Sequence, residues 1–424
     1  MLPEPANPFL AEELIKERAL RHLSPLFANP DEALPHLRKL PVSDTTSPAN
    51  GWLWLQVPCW ARQVVPQTYD GLFLPKFPGA NSIDDYPWWR AIDFYIGLVN
   101  ERRREERSGP VHSYSKALGP LASNAFDFAW VNRIGQFLKC WSAELEGRPV
   151  RDLFGELPIP KITLTHDVDA IDMSASLKAK QALSRFLEGQ FSTTVRILKS
   201  KKEPRFLEKL LDIETSFGWK SVWLIYAKPS AESPRKRHPL DPVYSLDHDR
   251  VDWLLTELEA RGHQVGVHSS FGSWQNAVLL RAERDAVGKR TQRQPVRVRQ
   301  HWLRFGTTTT WRAQSAAGFL IDYTLGFNDR PGFRASTALP LVLDNEGMVA
   351  IPTVIMDSNL FSRKFRRPEQ REATIDHFLD ELEKFGGHVA INWHPHTMGD
   401  AYGWADTYVS LLSKISRRRI EVVV

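Results

Sequence analysis

Lys161-Ile-Thr-Leu-Thr-His-Asp-Val-Asp169 is a short apolar and β-branched run that ends in three chargeable side chains. Ile162, Leu164 and the threonines between them read as a β-strand. Asp167 and Asp169 stand at i and i+2, so an extended backbone projects both carboxylates from one face. Two carboxylates on one face repel unless a cation or a shared proton separates them. The pair suits a divalent ion, with one carboxylate as ligand and the other as base. It also suits a capping role at a strand-to-helix turn, so the rest of the chain has to decide.

Downstream, short β-branched runs recur at Ser221–Tyr226, Gln264–His268, Val296–His301, Phe319–Tyr323, Val349–Ile355 and Val389–Trp393. Between them, Arg205–Thr215, Val251–Arg261 and Ala373–Phe385 have the spacing of amphipathic helices. Strands alternating with helices predict parallel βαβ units, and seven or eight of them predict a closed or nearly closed α/β barrel. The stretch from Ile171 to Lys202 reads as a basic, helical insertion after the first strand. Before residue 150 no such alternation is visible. Ala11–Phe27, Trp88–Arg104 and Asn124–Leu145 have helical periodicity, and Gly51–Val65 reads as strand.

The strand ends carry the chemistry. Gly262-His-Gln-Val-Gly-Val-His268 ends in His268, Val296-Arg-Val-Arg-Gln-His301 delivers Arg299 and His301, and His388-Val-Ala-Ile-Asn-Trp-His394 ends in His394. In α/β barrels the C-terminal strand ends converge on the site, so chargeable residues recurring there point to a shared centre.

These segments, in this order, resemble the polysaccharide deacetylase family (carbohydrate esterase family 4 and its relatives), in the branch with a Thr-His-Asp-Val-Asp first motif. The resemblance spans about 160 to 400 and includes Arg299-Gln-His-Trp-Leu-Arg-Phe305 and Gly332-Phe-Arg-Ala335. It implies a distorted seven-stranded (β/α) barrel over 156–424, preceded by a smaller, mostly helical or mixed α/β domain over 1–155. It also implies that Asp167 is the general base, Asp169 and His268 are metal ligands, Arg299 holds the base, and His394 protonates the leaving group. The expected cofactor is a divalent metal, with zinc first. The expected partner is an N-acetylated carbohydrate.

The chain departs from the pattern at one position. The family's second motif carries another histidine four residues after the first, where this chain has Gly272. Catalytic zinc usually takes three protein ligands, so His301 or His166 must supply the third; His301, two residues from Arg299, is preferred. A site degraded to glycan binding or assembly, and an amidohydrolase acting on non-sugar C–N bonds, are the alternatives. Arg334 is a candidate for a sugar carboxylate or phosphate, with Asp322, Asn328, Asp329 and Asp357 as further candidates for substrate contact. His263 and His396 read as structural or surface residues.

Composition narrows the classes. The 424 residues include 15 tryptophans, several beside polar residues, which suits stacking on sugar rings; Trp302 and Trp393 lie nearest the motifs. The net charge of +5 comes with basic runs such as Arg235-Lys-Arg-His238 and Lys199-Ser-Lys-Lys202, but no aromatic-interleaved nucleic-acid module. Two cysteines, Cys59 and Cys140, exclude a disulfide framework. No signal peptide or membrane-spanning run is visible, so the expected location is the cytoplasm. The oligomeric state is not encoded in any visible motif.

Overall fold

A computed structural model of the chain describes residues 8–42, 48–119, 124–173, 175–187, 189–200, 205–227, 238–343, 345–362, 364–365 and 367–424. The basic residues at 201–202 and 235–237 therefore lie outside the described residues. Two strands, β1 (Trp52–Leu55) and β2 (Leu72–Pro75), form an antiparallel hairpin in the N-terminal part. The other ten belong to one sheet: β3 (Lys161–Val168), β4 (Val222–Tyr226), β5 (Gln264–Ser269), β6 (Arg297–Gln300), β7 (Ile321–Asp322), β8 (Leu341–Leu343), β9 (Met348–Ala350), β10 (Thr353–Met356), β11 (His388–Asn392) and β12 (Glu421–Val422).

The sheet runs β10-β11-β3-β4-β5-β6-β7-β9-β8, with β12 beside β3, and every pair is parallel except β8–β9. Helices Phe206–Ser216, Asp249–Ala260, Ala277–Thr291, Thr310–Ala316 and Pro368–Phe385 fill the crossovers, as parallel pairing requires. Local signals start them: Asn276 caps 277–291 by accepting from Leu279 N (3.0 Å), and Pro368 opens 368–385. The protein is thus α/β, with a curled, parallel-rich sheet.

The expected strand Val349–Ile355 is two strands. Pro352 has no N–H to give a ladder, and the chain changes partner there: β9 pairs β7, and β10 pairs β11. That break, with β8 and β12, gives this sheet ten strands among the described residues, where the sequence suggests seven or eight.

Period-two alternation sorts the side chains. Along β3, Ile162, Leu164 and Val168 join the apolar layer under the helices, as do Val389, Ile391 and Trp393 along β11. Residues of the other parity turn to the concave side, where Thr163 meets His388 Nε2 (2.8 Å) and Thr165, Asp167 and Asn392 bond to one another or to Arg299. Gly266 on β5 allows close strand approach there, since a Cβ would meet Leu224 Cδ2 at 2.6 Å and Arg297 O at 2.8 Å.

The N-terminal part builds most of a second apolar core, completed by Phe327, Leu339 and Phe385, and it holds much of the tryptophan. Trp88, Trp89 and Trp130 are buried, and Trp52 stacks on Phe73 at 4.9 Å. The expected helix Trp88–Arg104 is broken into Trp88–Ile96 and Val99–Ser108, because Leu98 takes a left-handed φ of 52°. Asn124–Leu145 breaks likewise into Asn124–Asp127 and Trp130–Glu146. Gly51–Val65 is strand only at β1, and Cys59–Val64 is a 3-10 turn.

Two buried ion pairs join this part to the sheet. Arg133 donates to both oxygens of Glu381 (2.7 and 2.5 Å), and Arg334 binds Glu101 and Gly326 O (3.0 Å). Arg334 is therefore not a ligand-facing residue: its head is fully buried and committed. Arg334→Ala should leave Glu101 as an unpaired buried charge and destabilise the fold by about 3–5 kcal/mol. Chemical denaturation measures this loss, and KM of the folded fraction should not change.

Candidate active site

The strand ends bring Asp167, Asp169, His268, Arg299, His301 and His394 to one place. Arg299 is fully buried and committed at every nitrogen. Its Nε donates to Tyr323 O (3.0 Å), Nη1 to Asp167 Oδ1 (2.8 Å), and Nη2 to Thr165 Oγ1 (2.8 Å) and Thr353 Oγ1 (3.0 Å). Asn392 Nδ2 donates to the other Asp167 oxygen at 2.9 Å. Burial would raise the Asp167 pKa, but Arg299, His268 and His394 together outweigh it and hold the carboxyl below its usual range. Asn392 was not singled out in the sequence, although its parity with His394 on β11 was a usable signal.

Asp169 lies beyond the strand with its side chain partly exposed. Its Oδ1 is 3.3 Å from His268 Nε2 and 3.6 Å from His301 Nε2. Each histidine is oriented from behind. His268 Nδ1 lies 3.3 Å from Arg299 O, a carbonyl that can only accept, so Nδ1 carries the proton and Nε2 faces Asp169. His301 Nδ1 lies 3.3 Å from Asp241 Oδ1, a carboxylate behind an imidazole as in many metal sites. Asp241 was also missed by the sequence reading, since it sits in no motif.

These three residues fit a divalent ion. Their donor atoms all lie within 4.8 Å of one another. Ligand bonds of about 2.1 Å in tetrahedral geometry place donors about 3.4 Å apart, close to the two distances from Asp169. Asp169 Oδ1 and His268 Nε2 are buried without a hydrogen-bond partner among the described residues, which is costly unless something binds there. Burial keeps the His301 pKa low, as a neutral ligand needs. For His268 burial acts in the same sense but Asp167 and Asp169 outweigh it, so its pKa is raised and a proton competes with a cation.

His166 does not reach this cluster. It stands on the opposite face of β3, its Nδ1 bonded to Trp393 O (2.7 Å) and its Nε2 to Glu214 (2.8 Å), both buried. Gly272 lies in an exposed turn, and a Cβ there would meet nothing within 4 Å.

His394 faces the pair from the other side, its Nε2 3.7 Å from Asp169 Oδ2 and 3.9 Å from Asp167 Oδ2. Asp357 binds its Nδ1 at 2.6 Å and its backbone N–H at 2.9 Å, and accepts from Thr397 Oγ1 (2.8 Å). Burial opposes charge on the imidazole, but Asp357 and the two site aspartates raise its pKa to about 9. Asp357 is therefore an orienting residue rather than a substrate contact. Asp357→Asn should lower that pKa, so the alkaline limb of kcat/KM should move to lower pH. The loss of activity should be greater at pH 8 than at pH 6, as read from a pH–rate profile.

Of the two tryptophans, Trp302 is 40% exposed at the rim and Trp393 is 0% exposed. Trp393 shares the outward parity of β11 and packs on Tyr408 (4.9 Å), so it cannot stack on a ligand. Trp302 and Leu303 have left-handed φ values of 57° and 45°, a sharp turn that leaves His301 inside and Trp302 outside. Such backbone costs of order 1–3 kcal/mol per residue and is common at functional sites. Asn328 Nδ2 donates to Trp302 O (2.6 Å), and Ser113 Oγ holds Leu303 O. Asp329 accepts from Ser115 N (2.9 Å) and Asp322 from Trp311 Nε1 (3.0 Å); both are structural. His263 Nδ1 accepts from Ser221 N (3.0 Å), and His396 is 5.6 Å from the His394 ring.

No protein-family model matches the chain, and no curated protein does. Among solved structures it is similar to a Mycobacterium smegmatis protein provisionally described as a polysaccharide deacetylase (17% identity, TM-score 0.42, 63% of this chain and 89% of that one). It is also similar to an allantoinase (11%, 0.39, 63% and 91%) and to a mutant of a Bacillus subtilis peptidoglycan deacetylase (12%, 0.31, 63% and 88%). The α/β assignment stands on the strand pairing.

Proposed function

We propose that the chain is a metal-dependent hydrolase that removes N-acetyl groups from a sugar of a surface polysaccharide or its precursor. The observation that carries this reading is the convergence of three donors (Asp169 and the oriented His268 and His301) beside an Arg299-pinned carboxylate, with a protonated His394 opposite. With 348–356 counted as one bent strand, β3–β7, that strand and β11 make the seven of a polysaccharide-deacetylase-like barrel. In this reading, 1–155 is its preface domain and 156–424 the barrel.

At such a site a divalent ion, zinc in the first instance, supplies carbonyl polarisation and acidification of water. Asp169, His268 and His301 would hold it. Asp167, kept ionised by Arg299, His268 and His394, would accept the proton of the attacking water. His394, fixed by Asp357, delivers a proton from Nε2 to the departing amine. Trp302 offers the rim a flat apolar face.

A non-sugar C–N amidohydrolase is the second reading, favoured by the burial of Trp393, which leaves Trp302 as the one tryptophan of that pair open to a ring. The test is turnover of N-acetylglucosamine oligomers against small cyclic and linear amides by zinc-loaded protein. Release of acetate from the sugars supports the first reading; turnover of amides alone supports the second. Zinc retention without turnover of either returns the chain to glycan binding.

A further inference from the structure

The insertion after Asp169 forms two packed helices, Ala175–Leu187 and Phe191–Lys199. Ala182, Thr193, Thr194 and Ile197 are buried beneath the hairpin. The outward side is apolar: Leu183, Phe186, Leu187, Phe191, Val195 and Leu198 are 48–65% exposed. They recur at i, i+3, i+4 on the first helix and i, i+4, i+7 on the second, and Phe186 meets Phe191 across the turn at 5.4 Å. Six of the 17 large apolar residues exposed among the described residues thus fall within 16 positions. A surface helix normally turns this face inward, so the patch needs a partner.

Charge indicates which one. From 175 to 199 the sequence has five Lys and Arg (Lys178, Lys180, Arg185, Arg196, Lys199) and one acid, Glu188. A second copy of the hairpin would bring like charge against like charge. An anionic bilayer answers both properties, taking the apolar side chains at the acyl boundary and the exposed Arg196 and Lys199 near its phosphates. The hairpin also borders the site: Arg196 Nη2 donates to Tyr402 O (3.4 Å), Gln190 bonds Phe361 O, and Arg185 lies over the Trp404 ring, all on the segments following β10 and β11.

We propose that the hairpin 175–199 docks the protein on anionic phospholipid membranes and brings the mouth of the site to the bilayer surface. No helix among the described residues is long and apolar enough to cross a membrane, so the attachment is peripheral.

Flotation of the full chain tests this, with vesicles of phosphatidylcholine alone or with roughly one third phosphatidylglycerol. The protein should float with the anionic vesicles at low salt and not with the neutral ones. Phe186→Ser/Phe191→Ser/Leu198→Ser should bind at least about tenfold more weakly, with unchanged circular dichroism and unchanged turnover of a soluble substrate. Leu183→Glu/Val195→Glu should give the same loss by a different change. Unaltered flotation of both variants would overturn the proposal. So would failure of the wild-type chain to float, or a wild-type dimer that the triple variant dissolves. Turnover of a soluble substrate reports the hydrolase reading separately.

Discussion

Asp167→Asn should lower kcat/KM for an N-acetylated sugar by about 10²–10⁴, the range a positioned general base contributes. Asparagine keeps an oxygen for Arg299 Nη1 but has no charge to accept a proton, so a larger effect on kcat than on KM is expected. The substitution leaves a fully buried guanidinium without its carboxylate, and stability should fall too. Activity is therefore compared per folded molecule, from circular dichroism of the same preparation. Zinc content should hold, because the donors that meet at Asp169 do not include Asp167. Loss of zinc in Asp167→Asn with hydrolysis unchanged per bound ion would remove the base assignment.

His301→Ala should weaken zinc binding by more than about 100-fold, since it leaves two protein ligands where three are usual. Asp241→Asn, which reaches the three ligand candidates only through His301 and also accepts from Phe271 N (2.7 Å), should cost about tenfold at the low end of what supporting residues contribute. The order of the two effects matters most. A large loss from His301→Ala with a small one from Asp241→Asn places the third ligand at the end of β6. If zinc affinity is untouched by His301→Ala, the gap left at Gly272 is not filled from β6.

The fold was legible where one rule governed a segment. β3, β4, β5 and β11 begin and end within three residues of the sequence expectation, because apolar runs between turn signals specify them. The β9–β10 break was visible as Pro352 but was overridden by the β-branched residues around it. The insertion is helical as expected, yet its exposed apolar side follows only from knowing which face the body covers. In the site, parity did most of the sorting: it puts Asp167, His268, Arg299 and His394 on the concave side and excludes His166 and Trp393. Asp241 and Asn392 were missed because each acts on another side chain across the fold, through a contact no local spacing encodes. Tryptophan content misled in a simple way. Trp52, Trp88, Trp89 and Trp130 belong to the N-terminal core, so an aromatic count read as sugar stacking was mainly a count of core residues.

The most direct measurement is the zinc stoichiometry of stripped and reloaded protein, wild type against Asp169→Ala, by plasma mass spectrometry after gel filtration. One zinc per wild-type chain and none in the variant is the result expected of the Asp169, His268 and His301 site. No retained zinc in the wild type, or equal zinc in both, would contradict it.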